Sequence, residues 1–274
     1  MFYRLQFLIL VSLFSVSAVK TQDVEAAMCC QSSTQAFAQL GKEDGFVSAH
    51  QEPGSYVLQA PKGKIINFPC PDGEVGQGYL VDSNVNATHM LLLFHEWYGV
   101  NEYRKSEADR IASDFPGMHV LAVDLYDGVV AQNRGEASRQ MQTVNDQRLN
   151  NIILGAAGFA GNKKIAVMGW CFGGAWSLKA ASLLGKQCNA SVVYYGMTLK
   201  SQEELESISC PVLGIFAQKD NFITPALVNE FKVKMVDAGK QIEVYFFDAD
   251  HAFANPSNTK FDLSATSKAW NLTS

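Results

Sequence analysis

The chain has 274 residues, 47% hydrophobic and 18% charged, an ordinary composition for a globular protein with one sizeable core. Its net charge is −5 and no Lys/Arg run stands out, so nothing favours nucleic acid or an anionic membrane as partner. A small or neutral substrate is left open.

The chain opens on MFYR, with one positive charge, followed by the apolar run FLILVSLFSVSAV. That run is too short for a comfortable membrane span. With the small-residue pattern Val16-Ser17-Ala18 it reads as a secretory signal peptide over residues 1–18, rather than an anchor. The expected product is exported, to the periplasm or beyond, without membrane association after cleavage. Residues 19–50 form an N-terminal extension. Within it, SSTQAFAQLGKEDGFVSAH predicts one or two short helices broken at Gly41 and Gly45.

From residue 51 to 274 the pattern is that of one α/β domain. IINFP and GYLVD, separated by Pro71-Asp72-Gly73, read as antiparallel strands joined by a tight turn. Then MLLLFH, MHVLAVD, KIAVMGW, SVVYYG, PVLGIF and IEVYFFD alternate with helix-length segments. Near-continuous apolar runs suit strands buried on both faces, and the alternation predicts a mainly parallel sheet flanked by helices. The final FDLSATSKAWNLTS starts an amphipathic helix and stops early, as a naturally short or truncated chain would.

The candidate functional residues gather at the carboxyl ends of these runs, where open α/β sheets bind ligands. Gly169-Trp-Cys171-Phe-Gly173 has the shape of a nucleophile elbow with cysteine in place of serine. The helix that follows would point its positive end at the thiol. Asp220 and His251 come later, in the chain order of a nucleophile–acid–base triad on this fold. The backbone N–H groups of Phe172 and Trp97 are the expected oxyanion donors. Tyr126, Phe222 and Phe253 are candidate pocket residues. The five histidines are scattered without ligand spacing, so neither metal nor cofactor is expected.

Six cysteines in an exported chain permit disulfides. Cys188 and Cys210 each precede a predicted strand, and a bridge between them is geometrically reasonable if those strands are neighbours. Cys70 could pair with Cys29 or Cys30, or all could be buried thiols. Asn86, Asn189 and Asn271 sit in glycosylation sequons, a weak signal.

GWCFGG, HEWYGV, DLYDG and DADHAFANPS, in that order, resemble the dienelactone hydrolase family of α/β-hydrolases. The resemblance runs from about residue 55 to the end. It implies the α/β-hydrolase fold and cleavage of an enol-lactone through a thioester, without a cofactor, by Cys171, His251 and Asp220. It also implies a role for Glu96, in His95-Glu96-Trp97-Tyr98-Gly99. That carboxylate would contact the resting thiol and disfavour thiolate until substrate displaces it. Two arginines that bind the substrate carboxylate in the family are missing. Gly128 and Asn255 stand in their places, and Arg134 is the nearby candidate to compensate. The leading reading is therefore a cysteine hydrolase of a small ester or lactone, expected to act as a monomer. The alternatives are a non-enzymatic ligand-binding module on the same scaffold and a redox thiol at Cys171.

Overall fold

A computed structural model describes residues 32–83 and 86–274. The signal segment, Cys29 and Cys30 lie outside the described residues. Residues 31–274 form one compact unit.

The unit begins with two short helices. α1 (Ser33–Leu40) is started by Ser32, whose hydroxyl accepts from the Gln35 N–H while the Gln35 side chain accepts from the Ser32 N–H. α2 (Asp44–Ala49) follows after a turn at 41–43. The expected break at Gly41 is present. Gly45, by contrast, lies in the first turn of α2, where an N–H needs no intrahelical partner and glycine does little harm.

β1 (Lys64–Pro69) and β2 (Val75–Val81) form the expected antiparallel pair, closed by a Gly73 turn at φ +85°. Then come β3 (His89–Phe94), α3 (Glu102–Asp114), β4 (Met118–Asp124), α4 (Arg134–Thr143) and α5 (Asp146–Ala160). β5 (Lys164–Trp170), α6 (Phe172–Leu184), β6 (Cys188–Tyr194) and α7 (Gln202–Ser207) follow. The chain finishes with β7 (Val212–Ala217), α8 (Pro225–Asp237), β8 (Ile242–Phe247) and α9 (Leu263–Thr273).

The eight strands form one sheet in the order β1-β2-β4-β3-β5-β6-β7-β8. β2 runs antiparallel to β1 and β4, and the other neighbours are parallel. β3 and β5 lie at the centre. β3 is buried at every position after His89, which is why its sequence is continuously apolar. α6 lies against β5 and β6 and is buried along most of its length. No helix among the described residues is long and apolar enough to cross a membrane.

One contact fixes where the chemistry sits. A Cβ on Gly173 would stand 2.3 Å from the Phe94 carbonyl oxygen and 2.5 Å from that of His95. A Cβ on Gly169 would meet the Gly173 oxygen at 2.1 Å. Both glycines are thus required for α6 to start directly above the ends of β3 and β5.

Candidate active site

Cys171 occupies the turn between β5 and α6 at φ +52°, ψ −116°. A side chain at positive φ is strained, and here the strain is held by the Cys171 N–H donating to Tyr194 O at 2.9 Å. The result is the sharp strand-to-helix turn that the glycine spacing predicts. The sulfur stands at the N-terminus of α6, near the Phe172 N–H, which favours its charged form. Neither the Phe172 nor the Trp97 N–H is taken by a backbone carbonyl among the described residues. Both stay available as donors.

His251, in the turn after β8, places Nε2 3.4 Å from the Cys171 sulfur. Its Nδ1 donates to Asp220 Oδ2 at 2.6 Å. Asp220, after β7, is oriented in turn by the Phe222 and Ile223 N–H groups, both 2.9 Å from Oδ1. Burial penalises each of these charges, but their mutual attraction reverses the outcome for two of them. Asp220 is held below the usual carboxylate range, and the His251 imidazolium is favoured well above the usual histidine range. The Cys171 thiol is pushed up, first by burial and further by Glu96, with His251 opposing. The three side chains expected from sequence therefore meet in one hydrogen-bonded chain.

Glu96 departs from expectation. Among the described residues the thiol's hydrogen-bond partners are His251 and His50, not Glu96. The Glu96 carboxylate is held instead by Asn255 Nδ2 at 2.5 Å and the Tyr195 hydroxyl at 3.4 Å. Arg104 lies 3.6 Å away, its guanidinium stacked over Trp170. The physical reason is that a buried carboxylate seeks strong donors and a cation, and a thiol offers only one weak S–H donor. His95 braces this loop: its Nδ1 donates to the Glu96 carbonyl and its Nε2 accepts from the Leu125 N–H.

The place expected of Glu96 is taken by His50, at the end of α2. Its Nε2 lies 3.7 Å from the sulfur and its Nδ1 donates to Phe46 O at 2.7 Å. Burial and the neighbouring His251 charge lower its pKa to about 3, so its ring is neutral. Phe46 fills the space beside it, against Trp97, Phe222 and His251. As a result Cys171 is 0% exposed: Phe46 of α2 and His50 at its end lie over the site.

The pocket candidates divide. Phe222 is only partly buried and edges onto His251. Tyr126 packs between His95 and Phe172, its hydroxyl without a hydrogen-bond partner among the described residues. Phe253 is fully buried against Tyr195 and Phe247, and Tyr195 in turn packs on His251. Arg134 faces Glu52 at 3.9 Å on the surface and offers the site no compensating charge. Cys188 and Cys210 stand 3.6 Å apart as thiols, at adjacent strand starts as the parallel pairing requires. A cleft of about 650 Å³ opens at the opposite, amino ends of β6–β8, with no thiol or imidazole on its wall.

Sequence reasoning missed His50 and Arg104. His50 is 121 residues from Cys171, and nothing local announces the contact. Arg104 lies on α3, where a charge normally reads as solvated.

Comparison with known proteins follows the same lines. Residues 77–274 match the family described as the dienelactone hydrolase family. Protein usf of Aquifex pyrophilus is 27% identical over 225 residues, spanning 77% of this chain and 96% of that protein. Carboxymethylenebutenolidase 1 of Cupriavidus pinatubonensis is 22% identical over 206 residues, spanning 70% and 86%. In fold, the chain is similar to a dienelactone hydrolase-like promiscuous phosphotriesterase from metagenomic libraries. The TM-score is 0.67 at 19% identity, covering 77% of this chain and 96% of the other.

Proposed function

Because the chain belongs to the dienelactone hydrolase family, whose members hydrolyse carboxylic esters and lactones, we propose that Cys171 is the nucleophile of this hydrolase and works through a thioester. The observation that carries the reading is the Cys171–His251–Asp220 chain, with contacts of 3.4 and 2.6 Å.

With its proton held on His251 Nε2, the Cys171 sulfur attacks the ester carbonyl. The Phe172 and Trp97 N–H groups receive the oxyanion. As the tetrahedral intermediate collapses, His251 protonates the departing alkoxide. Water, deprotonated by His251, then releases the acid and restores the thiol. Asp220 keeps Nδ1–H pointed away from the sulfur and so fixes which nitrogen moves the proton.

The substrate class follows from charge. Gly128 and Asn255 provide no cation, Asn255 is committed to Glu96, and Arg104 is stacked and paired. An uncharged ester or lactone fits this site better than a carboxylate-bearing one. Access requires α2 to move, since Phe46 and His50 lie over the thiol. Export rests on the apolar leader and its small-residue site.

The test is hydrolysis of a short p-nitrophenyl ester and of dienelactone by wild type and Cys171→Ala. Ester turnover that disappears in the variant, with dienelactone cleaved poorly, supports the reading. Undiminished turnover in Cys171→Ala removes the thiol from the mechanism.

A further inference from the structure

His50, Cys171 and His251 bring three metal-ligating atoms within 4.8 Å of one another, all buried. We propose that in the covered state they form a binding site for a borderline-soft divalent cation of the Zn2+ type. The donor set is two imidazole nitrogens and one thiolate, the combination that selects such ions over Mg2+ or Ca2+.

Geometry supports it. Tetrahedral bonds of about 2.3 Å to sulfur and about 2.0 Å to nitrogen place the two donor atoms about 3.5 Å apart. The observed sulfur–nitrogen separations are 3.7 Å for His50 and 3.4 Å for His251, and the two imidazole nitrogens, which lie within 4.8 Å of each other, close to about 3.3 Å when they share the ion. Each imidazole turns Nε2 to the sulfur because Nδ1–H is committed elsewhere, to Phe46 O at 2.7 Å and to Asp220 Oδ2 at 2.6 Å. A carbonyl or carboxylate behind each ring is the outer-shell arrangement that orients metal-bound histidines. Charge supports it as well. The Cys171 thiolate and the Asp220 carboxylate together offset the ion's two positive charges, so the loaded site is close to neutral.

Binding is a ligand exchange without redox change. A Zn–S bond forms, the thiol proton leaves to solvent, and any proton on His251 Nε2 leaves with it. Three protein donors leave one position for a solvent ligand. Occupancy ties α2 to the body through His50. On the hydrolase reading given above, it also removes the nucleophile and its base together, so the ion is a reversible inhibitor.

The experiment uses the full chain and Co2+ alone, read by absorbance and not by turnover. This separates failure of the metal site from failure of the hydrolase reading, which metal-free ester assays test. Wild type is expected to show a thiolate-to-cobalt charge-transfer band with the visible bands of tetrahedral Co2+, both displaced by Zn2+. Cys171→Ser should lose the charge-transfer band, which excludes the other thiols as its source. His50→Ala and the shape-conserving His50→Gln should each weaken binding more than about tenfold, the lower end of what losing even an outer-shell partner costs. Absence of the band in wild type, its survival in Cys171→Ser, or unchanged affinity in a folded His50 variant overturns the site.

Discussion

Phe46→Ala tests whether α2 is the cover over Cys171. Phe46 is 0% exposed, and its ring centroid lies 4.2 Å from that of His50, 5.1 Å from Phe222 and 5.7 Å from Trp97. Truncating a buried phenylalanine typically costs about 3–5 kcal/mol. If that loss falls on the closing of residues 32–50 alone, the open fraction rises by about 10²-fold to a few times 10³-fold, since each 1.4 kcal/mol is a factor of ten. The assay is the rate of iodoacetamide labelling at Cys171, followed by peptide mapping so that other thiols do not contribute. When opening is fast relative to labelling, the rate tracks the open population. An increase of that order, with the thermal unfolding of the body little changed, is the expected result. An unchanged labelling rate would refute the reasoning: α2 would not gate the thiol, and reagent would reach it by another route.

Three further outcomes are expected. Asp220→Asn keeps the shape but frees the His251 tautomer, so ester turnover should fall by about 10²–10⁴-fold with little change in KM, as steady-state kinetics would show. His50 makes folding acid-sensitive. Its folded pKa is about 3 against 6.5 unfolded, so between those values the unfolded chain binds a proton that the folded chain does not. Stability therefore falls as pH drops from 6.5 toward 3, by about 2 kcal/mol at pH 5, and urea unfolding of His50→Gln should lack that part of the slope. Finally, mild oxidation should join Cys188 to Cys210, 3.6 Å apart, and raise stability by about 3 kcal/mol for the loop enclosed. Peptide mapping that finds both thiols still free after oxidation would count against the bridge.

The parts of the site legible in the sequence share a physical origin. Cys171, Asp220 and His251 each follow a largely apolar run, and a parallel sheet delivers the ends of such runs to one edge. Gly169 and Gly173 are legible because only their backbones fit the approach of α6 to β3. What stayed hidden depends on packing between distant segments. His50 caps the C-terminus of a six-residue helix whose placement is decided by Phe37 and Phe46, not by its own spacing. Glu96 was placed in the right loop, but its partners were not: Asn255 and Arg104 come from other parts of the fold and compete with the thiol for it. Phe253 follows His251, the candidate base, and its packing against Tyr195 and Phe247 is equally a matter of distant segments.

Residues 51–63, between α2 and β1, are mostly exposed, and they join the cover to the body. They are laid along α3 by the Leu58 N–H on Glu102 and the Lys62 N–H on Asp109. A tether of this kind holds its cargo at an effective concentration on the order of millimolar or above, so displaced α1 and α2 return by an intramolecular step whatever the protein concentration. One cut in that stretch would convert the cover into a separate peptide ligand. Its occupancy would then fall on dilution, and thiol exposure would become concentration-dependent, which labelling of a nicked sample at two dilutions would reveal.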